Sequence, residues 1–135
     1  MIVADANVLV YFAVTGPDTS QAELWQARDR DWIGPPILRS ELRNVLITTV
    51  RRKQLQAGCE FAAYHRACAV MRFTPDPDPD TVMGIAIDRG LTCYDAEYVA
   101  TARQLGLKLL TDDRRVVNVC KDVAVDFRLI AEPLS

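Results

Sequence analysis

The chain has 135 residues, of which 50% are hydrophobic and 25% charged, and its formal net charge is −2. These values exclude a disordered tail and a protein that coats nucleic acid through bulk positive charge. They predict one folded domain over residues 1–135, because a chain of this length buries well over half of its unfolded surface.

The N-terminal segment MIVADANVLV begins with a β-branched run at Ile2–Ala4, which predicts a short buried strand. Asp5 and Asn7 interrupt this run before the apolar pattern resumes, so the segment predicts a strand, a turn and a helix. It has no basic leader, and no apolar run reaches the roughly 18 residues that a membrane span needs. We therefore predict a cytoplasmic protein without a membrane segment.

The next elements in the chain are mainly helical. The segment SQAELWQARDR predicts a short helix, and residues 32–33 predict a strand. A long helix is predicted over residues 37–55, because this segment follows the two prolines of GPP and has a basic end at residues 51–53. Another helix is predicted over residues 57–71, where Phe61, Tyr64, Cys68 and Met71 recur at steps of three and four.

The second half begins with FTPDPDPD, whose alternating prolines exclude a helix or a central strand and predict a rigid connector. Two helices should follow, ending at Gly90 and Gly106. The segments LKLLT and VAVDF predict strands on either side of a short helix in DDRRVVNVC. Alternating apolar strands and helices predict an α/β sandwich with a small parallel sheet, which binds ligands at the carboxyl ends of its strands.

The cysteines and the single histidine do not suggest a metal or redox site. The four cysteines lie far apart without a CxxC pair, so we expect reduced, mostly buried thiols rather than a zinc ribbon or a thioredoxin motif: Cys59, Cys68, Cys93 and Cys120. His65 lies far from the candidate acids and has no nucleophilic partner motif nearby, so we interpret it as a structural or surface residue.

Several acids are candidates for chemistry. Asp5 follows the first predicted strand and Asp112 and Asp113 follow LKLLT, so parallel pairing would bring them to one sheet edge. Glu41 lies at the margin of the apolar face of the long helix, and Asp95 lies near the start of its helix. Carboxylates gathered in one cleft repel one another without a divalent cation, and oxygen ligands suit Mg²⁺ or Mn²⁺. Such a cation activates water and stabilises the oxygens of a reacting phosphodiester.

Each acid taken alone also has a structural interpretation. Asp5 would close the turn between strand and helix, and Asp95 and Asp112 lie where an N-capping acid is expected. Glu41 has no such explanation, because the position four residues later is Val45 rather than a base. The set, rather than any one member, therefore favours a metal site.

Four segments, MIVADANVLV, PPILRSELRNVL, YDAEYVATA and LKLLTDDRRV, resemble in order and spacing the four acidic motifs of PIN-domain nucleases. The length and layout resemble the VapC-type ribonuclease toxins of prokaryotic toxin–antitoxin pairs. The resemblance implies catalytic, metal-binding acids at Asp5, Glu41, Asp95 and Asp113, with support from Asn7 and from Thr111 of a Thr-x-Asp pattern. It also implies an α/β/α sandwich, Mg²⁺ or Mn²⁺, endoribonuclease action on structured RNA, a homodimer and inhibition by a small antitoxin protein.

One assignment stays open at the level of sequence. Asp112 occupies the variable middle position of Thr-x-Asp, so either Asp112 or Asp113 could reach the metal. The motif assigns Asp113 as the metal ligand. Asp112 would then cap the short helix or bind a second, weaker ion. Arg114 and Arg115 directly follow the motif and are the favoured substrate contacts.

Two other classes of protein are alternatives to a nuclease. A haloacid-dehalogenase-like phosphatase fits LLTDD, but Asn7 replaces the acid that would protonate its leaving group. A protein with this fold could also have lost activity and act only by binding a partner.

Overall fold

Five short strands form the centre of the computed structural model, which describes residues 1–129. In chain order they are β1 (Ile2–Ala4), β2 (Trp32–Gly34), β3 (Met71–Phe73), β4 (Leu109–Thr111) and β5 (Ala124–Asp126). They form one parallel sheet in the order β3-β2-β1-β4-β5. Residues 130–135 of the predicted domain lie outside the described part of the chain.

Helices connect the strands and flank the sheet, as a parallel sheet requires. They are α1 (Ala6–Ala13), α2 (Thr19–Arg28), α3 (Ile37–Arg51), α4 (Glu60–Ala69), α5 (Pro79–Arg89), α6 (Cys93–Leu105) and α7 (Arg114–Val119), followed by a 3₁₀ helix at Phe127–Leu129. Helices α1, α3 and α4 pack on one another, and α5 packs on α6. The predicted α/β/α sandwich with a small parallel sheet is confirmed. None of the helices within residues 1–129 has the length and apolarity needed to cross a bilayer.

Strand β1 lies in the middle of the sheet, between β2 and β4. Its apolar residues are all buried, which explains why this segment is a continuous apolar run rather than an alternating one. Val3 and Ala4 pair in register with Leu109 and Leu110 of β4. The carboxyl ends of β1 and β4 are therefore neighbours, as the sequence predicted.

Helix α3 buries Leu38, Leu42 and Leu46 and leaves Glu41 at the edge of this buried face, in agreement with prediction. The helix ends at Arg51, four residues before the predicted boundary. The cause lies in the backbone, because Lys53 adopts a left-handed conformation with φ of 59° that an α-helix cannot continue through.

Strand β3 was not predicted from the sequence, because Met71 appeared to extend the preceding helical pattern. Helix α4 ends at Ala69, and Met71 starts β3. The buried residues of α4 are Ala63 and Ala67, whereas the Phe61 side chain is 71% exposed. The small alanine side chains allow α4 to approach its neighbours closely.

The connector predicted over residues 73–80 is shorter than expected, because Phe73 ends β3 and α5 already begins at Pro79. Gly90 and Gly106 end α5 and α6 in the left-handed conformation at φ of 66°, which glycine adopts without strain. All four cysteines are free, as predicted, but the expectation that most are buried is wrong, since Cys59 and Cys93 are exposed. His65 lies on the exposed surface of α4.

Candidate functional site

A cavity of about 90 Å³ lies at the carboxyl ends of β1 and β4. The acidic residues that line it come from four parts of the chain, and all four were predicted: Asp5, Glu41, Asp95 and Asp113. Asn7 and Thr111 line the same cavity, whereas Asp112, Arg114 and Arg115 do not. The structure therefore brings together six of the predicted residues at one edge of the sheet.

Asp5 and Asp113 are linked through the buried hydroxyl of Thr111. The Thr111 Oγ1 donates to Asp5 Oδ2 at 2.5 Å and accepts from the backbone N–H of Asp113 at 3.0 Å. The other Asp5 oxygen accepts from the Val8 N–H at 3.1 Å, so Asp5 also caps α1. These contacts fix the ends of two neighbouring strands relative to each other.

Asp113 also caps α7, with its Oδ1 accepting from the backbone N–H groups of Arg115 and Val116. The prediction that Asp112 caps this helix is wrong, because α7 begins one residue later than that interpretation requires.

Asp112 does not line the cavity and instead forms ion pairs and hydrogen bonds with other parts of the chain. The Arg128 guanidinium donates to both of its oxygens, at 2.8 and 2.7 Å, and the Tyr11 hydroxyl donates at 2.8 Å. The hydrogen bonds from Arg128 hold the pKa of Asp112 below its usual value. Arg128 also pairs with Asp18 and lies over the Tyr11 ring. Asp112 is thus occupied by cations of the protein itself.

Asp95 is in the first turn of α6 but does not cap it. The N-cap is Thr92, whose hydroxyl accepts from the Asp95 backbone N–H at 3.1 Å. The capping interpretation of Asp95 is therefore wrong, and its partly buried carboxylate faces the cavity.

Glu41 reaches the cavity from the opposite wall, on α3. Its Oε1 accepts a hydrogen bond of 2.6 Å from the hydroxyl of Tyr98 on α6. Tyr98 is only 4% exposed and was missed in the sequence interpretation. The signal was its position one helical turn after Asp95, which places both side chains on one face of α6.

The pKa values of three cavity acids are raised, as expected for carboxylates that share a poorly solvated site. The pKa of Asp5 is raised to about 6, mainly by burial and to a smaller extent by Asp112 and Asp113, whereas the hydrogen bonds from Thr111 and Val8 act to lower it. Burial also raises the pKa of Glu41, with a smaller contribution from Asp95. The pKa of Asp95 is raised by burial and then by Asp113. A positive charge in the cavity would relieve these unfavourable interactions.

The two predicted substrate-binding arginines differ in their surroundings. The Arg114 guanidinium forms a bidentate pair with Asp126 of β5. Arg115 instead extends towards the C-terminal end of α5, where its Nη2 lies 3.3 Å from the position that a Cβ on Gly90 would occupy. Its positive charge partly offsets the rise in the pKa of Asp95, which is one of the cavity acids.

The donor chemistry of the cavity fits a hard divalent cation, since carboxylate oxygens predominate and no histidine or cysteine lines it. Within residues 1–129, however, no three acidic, histidine or cysteine side chains converge closely enough to hold an ion as they stand. Both Asp5 oxygens and one Glu41 oxygen form hydrogen bonds to the protein. Ion binding at this cavity would therefore require these side chains to move closer together.

A parallel α/β sandwich with a carboxylate-lined cavity at its strand ends is the architecture that the PIN-domain motifs predicted. The family model described as PIN domain matches residues 2–122, and the chain belongs to this family. Family membership favours the nuclease class over the haloacid-dehalogenase-like phosphatase.

Within known proteins, the chain is similar to Exonuclease VapC9 of Pyrobaculum aerophilum, with 48% identity over 60 residues. That aligned segment spans 44% of this chain and 44% of the relative. The fold is similar to PAE2754 from the same organism, with a TM-score of 0.77 and 26% identity over 94% of this chain and 89% of that one. The fold is also similar to that of Mycobacterium tuberculosis VapC20, which is described as a toxin that cleaves the sarcin-ricin loop. The TM-score is 0.62 and the identity 16%, and the match covers 87% of this chain and 95% of that one.

Proposed function

We propose that the protein is a metal-dependent endoribonuclease that hydrolyses RNA phosphodiester bonds and acts as the toxin of a toxin–antitoxin pair. One observation carries the proposal: the four predicted acids, which are distant in sequence, line a single cavity. Three of them have pKa values raised by burial or by one another, as expected of a site that accepts a cation.

In this proposal Asp5, Glu41, Asp95 and Asp113 hold Mg²⁺ or Mn²⁺. When bound, such an ion would lower the pKa of a water molecule and polarise the phosphodiester. Thr111 orients Asp5 through its hydroxyl. Asn7, exposed at the cavity, offers an amide to the substrate, and Arg115 offers a positive charge to an adjacent phosphate. Arg114 is a weaker candidate, since Asp126 already neutralises it.

The substrate and partners belong to the same proposal. RNA as the substrate is supported by the VapC-type motifs and by the similarity of the fold to VapC20. These motifs also support a small cognate antitoxin protein, a homodimer and a cytoplasmic location. We further propose that residues 1–135 form one nuclease domain, which the family match over residues 2–122 supports.

A comparison of two substrates tests this function against its alternatives. In Mn²⁺ the protein should cleave a structured RNA at internal positions and leave a generic phosphomonoester intact. Hydrolysis of the phosphomonoester alone would favour a phosphatase. No reaction with either substrate, together with tight binding of the small protein encoded by an adjacent reading frame, would favour an inactive binding protein.

Divalent metal should stabilise the fold, because an ion that binds only the native cavity relieves the repulsion between its carboxylates. At 100 times its dissociation constant, such an ion adds about 2.7 kcal/mol to the free energy of unfolding. Thermal unfolding of EDTA-treated protein should therefore shift upwards when Mn²⁺ or Mg²⁺ is added. An equal shift in an Asp5→Ala variant would show that the ion binds elsewhere.

The adjacent aspartates should separate in function. Asp113→Asn keeps an N-capping side chain for α7 and removes only the charge at the cavity, so RNA cleavage should fall sharply while the fold is retained. Asp112→Asn breaks the ion pair with Arg128, so it should lower the melting temperature while changing the rate of RNA cleavage much less than Asp113→Asn does. Cleavage rates and melting temperatures of both variants check this pattern. The reverse pattern would assign the metal-binding role to Asp112.

A further inference from the structure

We infer that Tyr98 is a positioning residue that orients the carboxylate of Glu41 for the cavity ion; the inference rests on the proposed function. The Tyr98 hydroxyl donates to Glu41 Oε1 at 2.6 Å, and both residues line the cavity. The contact joins α6 to α3 across 57 residues of sequence. It therefore fixes the relative position of two walls of the site.

Glu41 depends on this contact more than Asp5 or Asp113 depends on any single partner. Asp5 is held by Val8 and Thr111, and Asp113 is held by backbone N–H groups of α7. Glu41 has a longer and more flexible side chain. Within residues 1–129, Tyr98 is its only hydrogen-bond donor, and Glu41 Oε2 accepts none. With Oε1 fixed, Oε2 remains available to a cation.

Tyr98 is suited to this role because its own position is rigid. It is 4% exposed, and its neighbours on α6, Val99 and Ala102, are completely buried. The ring therefore cannot leave the core without disrupting the packing of α6. A buried donor on a rigid helix holds a ligand in place before the ion arrives, which is how outer partners tune metal sites.

Tyr98→Phe tests the inference by removing one hydroxyl and keeping the ring. Isothermal titration of the metal-free protein with Mn²⁺ should show an affinity about 10- to 100-fold lower than that of the wild type. The matched control is Tyr94→Phe, one turn earlier on α6, where the residue is 61% exposed and does not line the cavity. This control should bind Mn²⁺ as the wild type does.

A second background shows whether Tyr98 acts through Glu41. In a Glu41→Ala protein, which has no side-chain oxygen left for Tyr98 to orient, the added Tyr98→Phe substitution should lower Mn²⁺ affinity no further. Equal losses in both backgrounds would overturn the inference, as would a Tyr98→Phe protein that binds Mn²⁺ like the wild type.

Metal-free thermal unfolding separates positioning from a structural role. A Tyr98→Phe protein that melts at a much lower temperature, but whose folded fraction binds Mn²⁺ normally, would make Tyr98 purely structural. Suppose that the wild type binds Mn²⁺, that Asp5→Ala abolishes this binding and that Tyr98→Phe leaves it unchanged. In that case only the inference about Tyr98 fails, and the proposed function stands. If the wild type binds no divalent ion at all, the proposed function fails with it.

Discussion

Replacing Asp5 with asparagine is expected to lower the rate of RNA cleavage in saturating Mn²⁺ by at least about 100-fold, since even outer partners of metal ligands contribute about 10- to 100-fold. Asn keeps the size of the side chain and an oxygen that can accept from Val8 N–H. The substitution therefore removes the negative charge from the cavity with little change in shape. Initial rates on a labelled structured RNA measure the effect.

The control for this experiment is Asp80→Asn, which removes an exposed carboxylate from the first turn of α5. It changes the net charge by the same amount and should leave the cleavage rate unaffected. Equal rates for Asp5→Asn and the wild type would contradict a catalytic role for this cavity. Equal losses in both variants would point to a general charge effect rather than to a site.

The same substitution should stabilise the protein when no metal is present. The folded state raises the pKa of Asp5 from 3.8 to about 6, so the folded state binds this proton more tightly than the unfolded state does. The resulting stability is fully present below about pH 3.8 and is lost as pH rises through about 6. Above that pH, the wild type holds an ionised carboxylate in a poorly solvated site, at a cost of about 1 to 3 kcal/mol.

Asparagine has no titratable group and avoids this cost, although it pairs less well with the Thr111 hydroxyl. As pH rises from 4 to 7, the free energy of unfolding of Asp5→Asn should therefore increase by about 1 to 3 kcal/mol relative to that of the wild type. Urea unfolding in EDTA across this range measures the difference. A difference that does not change with pH would show that Asp5 is well solvated when the protein is folded.

The position of the acid-lined cavity could be predicted from the sequence because it depends on simple rules. Asp5 and Asp113 follow apolar runs, and parallel pairing of β1 with β4 brings the ends of these runs together. Glu41 was identified because it interrupts the apolar margin of α3 without a local partner. These features are local or follow from topology, so one sequence is enough to find them.

Other features depend on contacts that no local pattern encodes. Tyr98 meets Glu41, and Arg128 meets Asp112, only after the chain has folded. The role of Asp112 could not be predicted because both adjacent aspartates precede the short helix, and a shift of one residue in its start exchanges their roles. Strand β3 was missed because it is three residues long and begins directly after a helical pattern.

The most direct test of the central claim is RNA cleavage by the wild-type protein after its metal has been removed. The protein is treated with EDTA and dialysed, and a structured RNA is incubated with it before and after Mn²⁺ is restored. We predict no cleavage without metal and internal cleavage once Mn²⁺ is added, because the carboxylates alone cannot activate water for attack on a phosphodiester. Cleavage that persists in EDTA, or no cleavage with either Mn²⁺ or Mg²⁺, would contradict a metal-dependent ribonuclease.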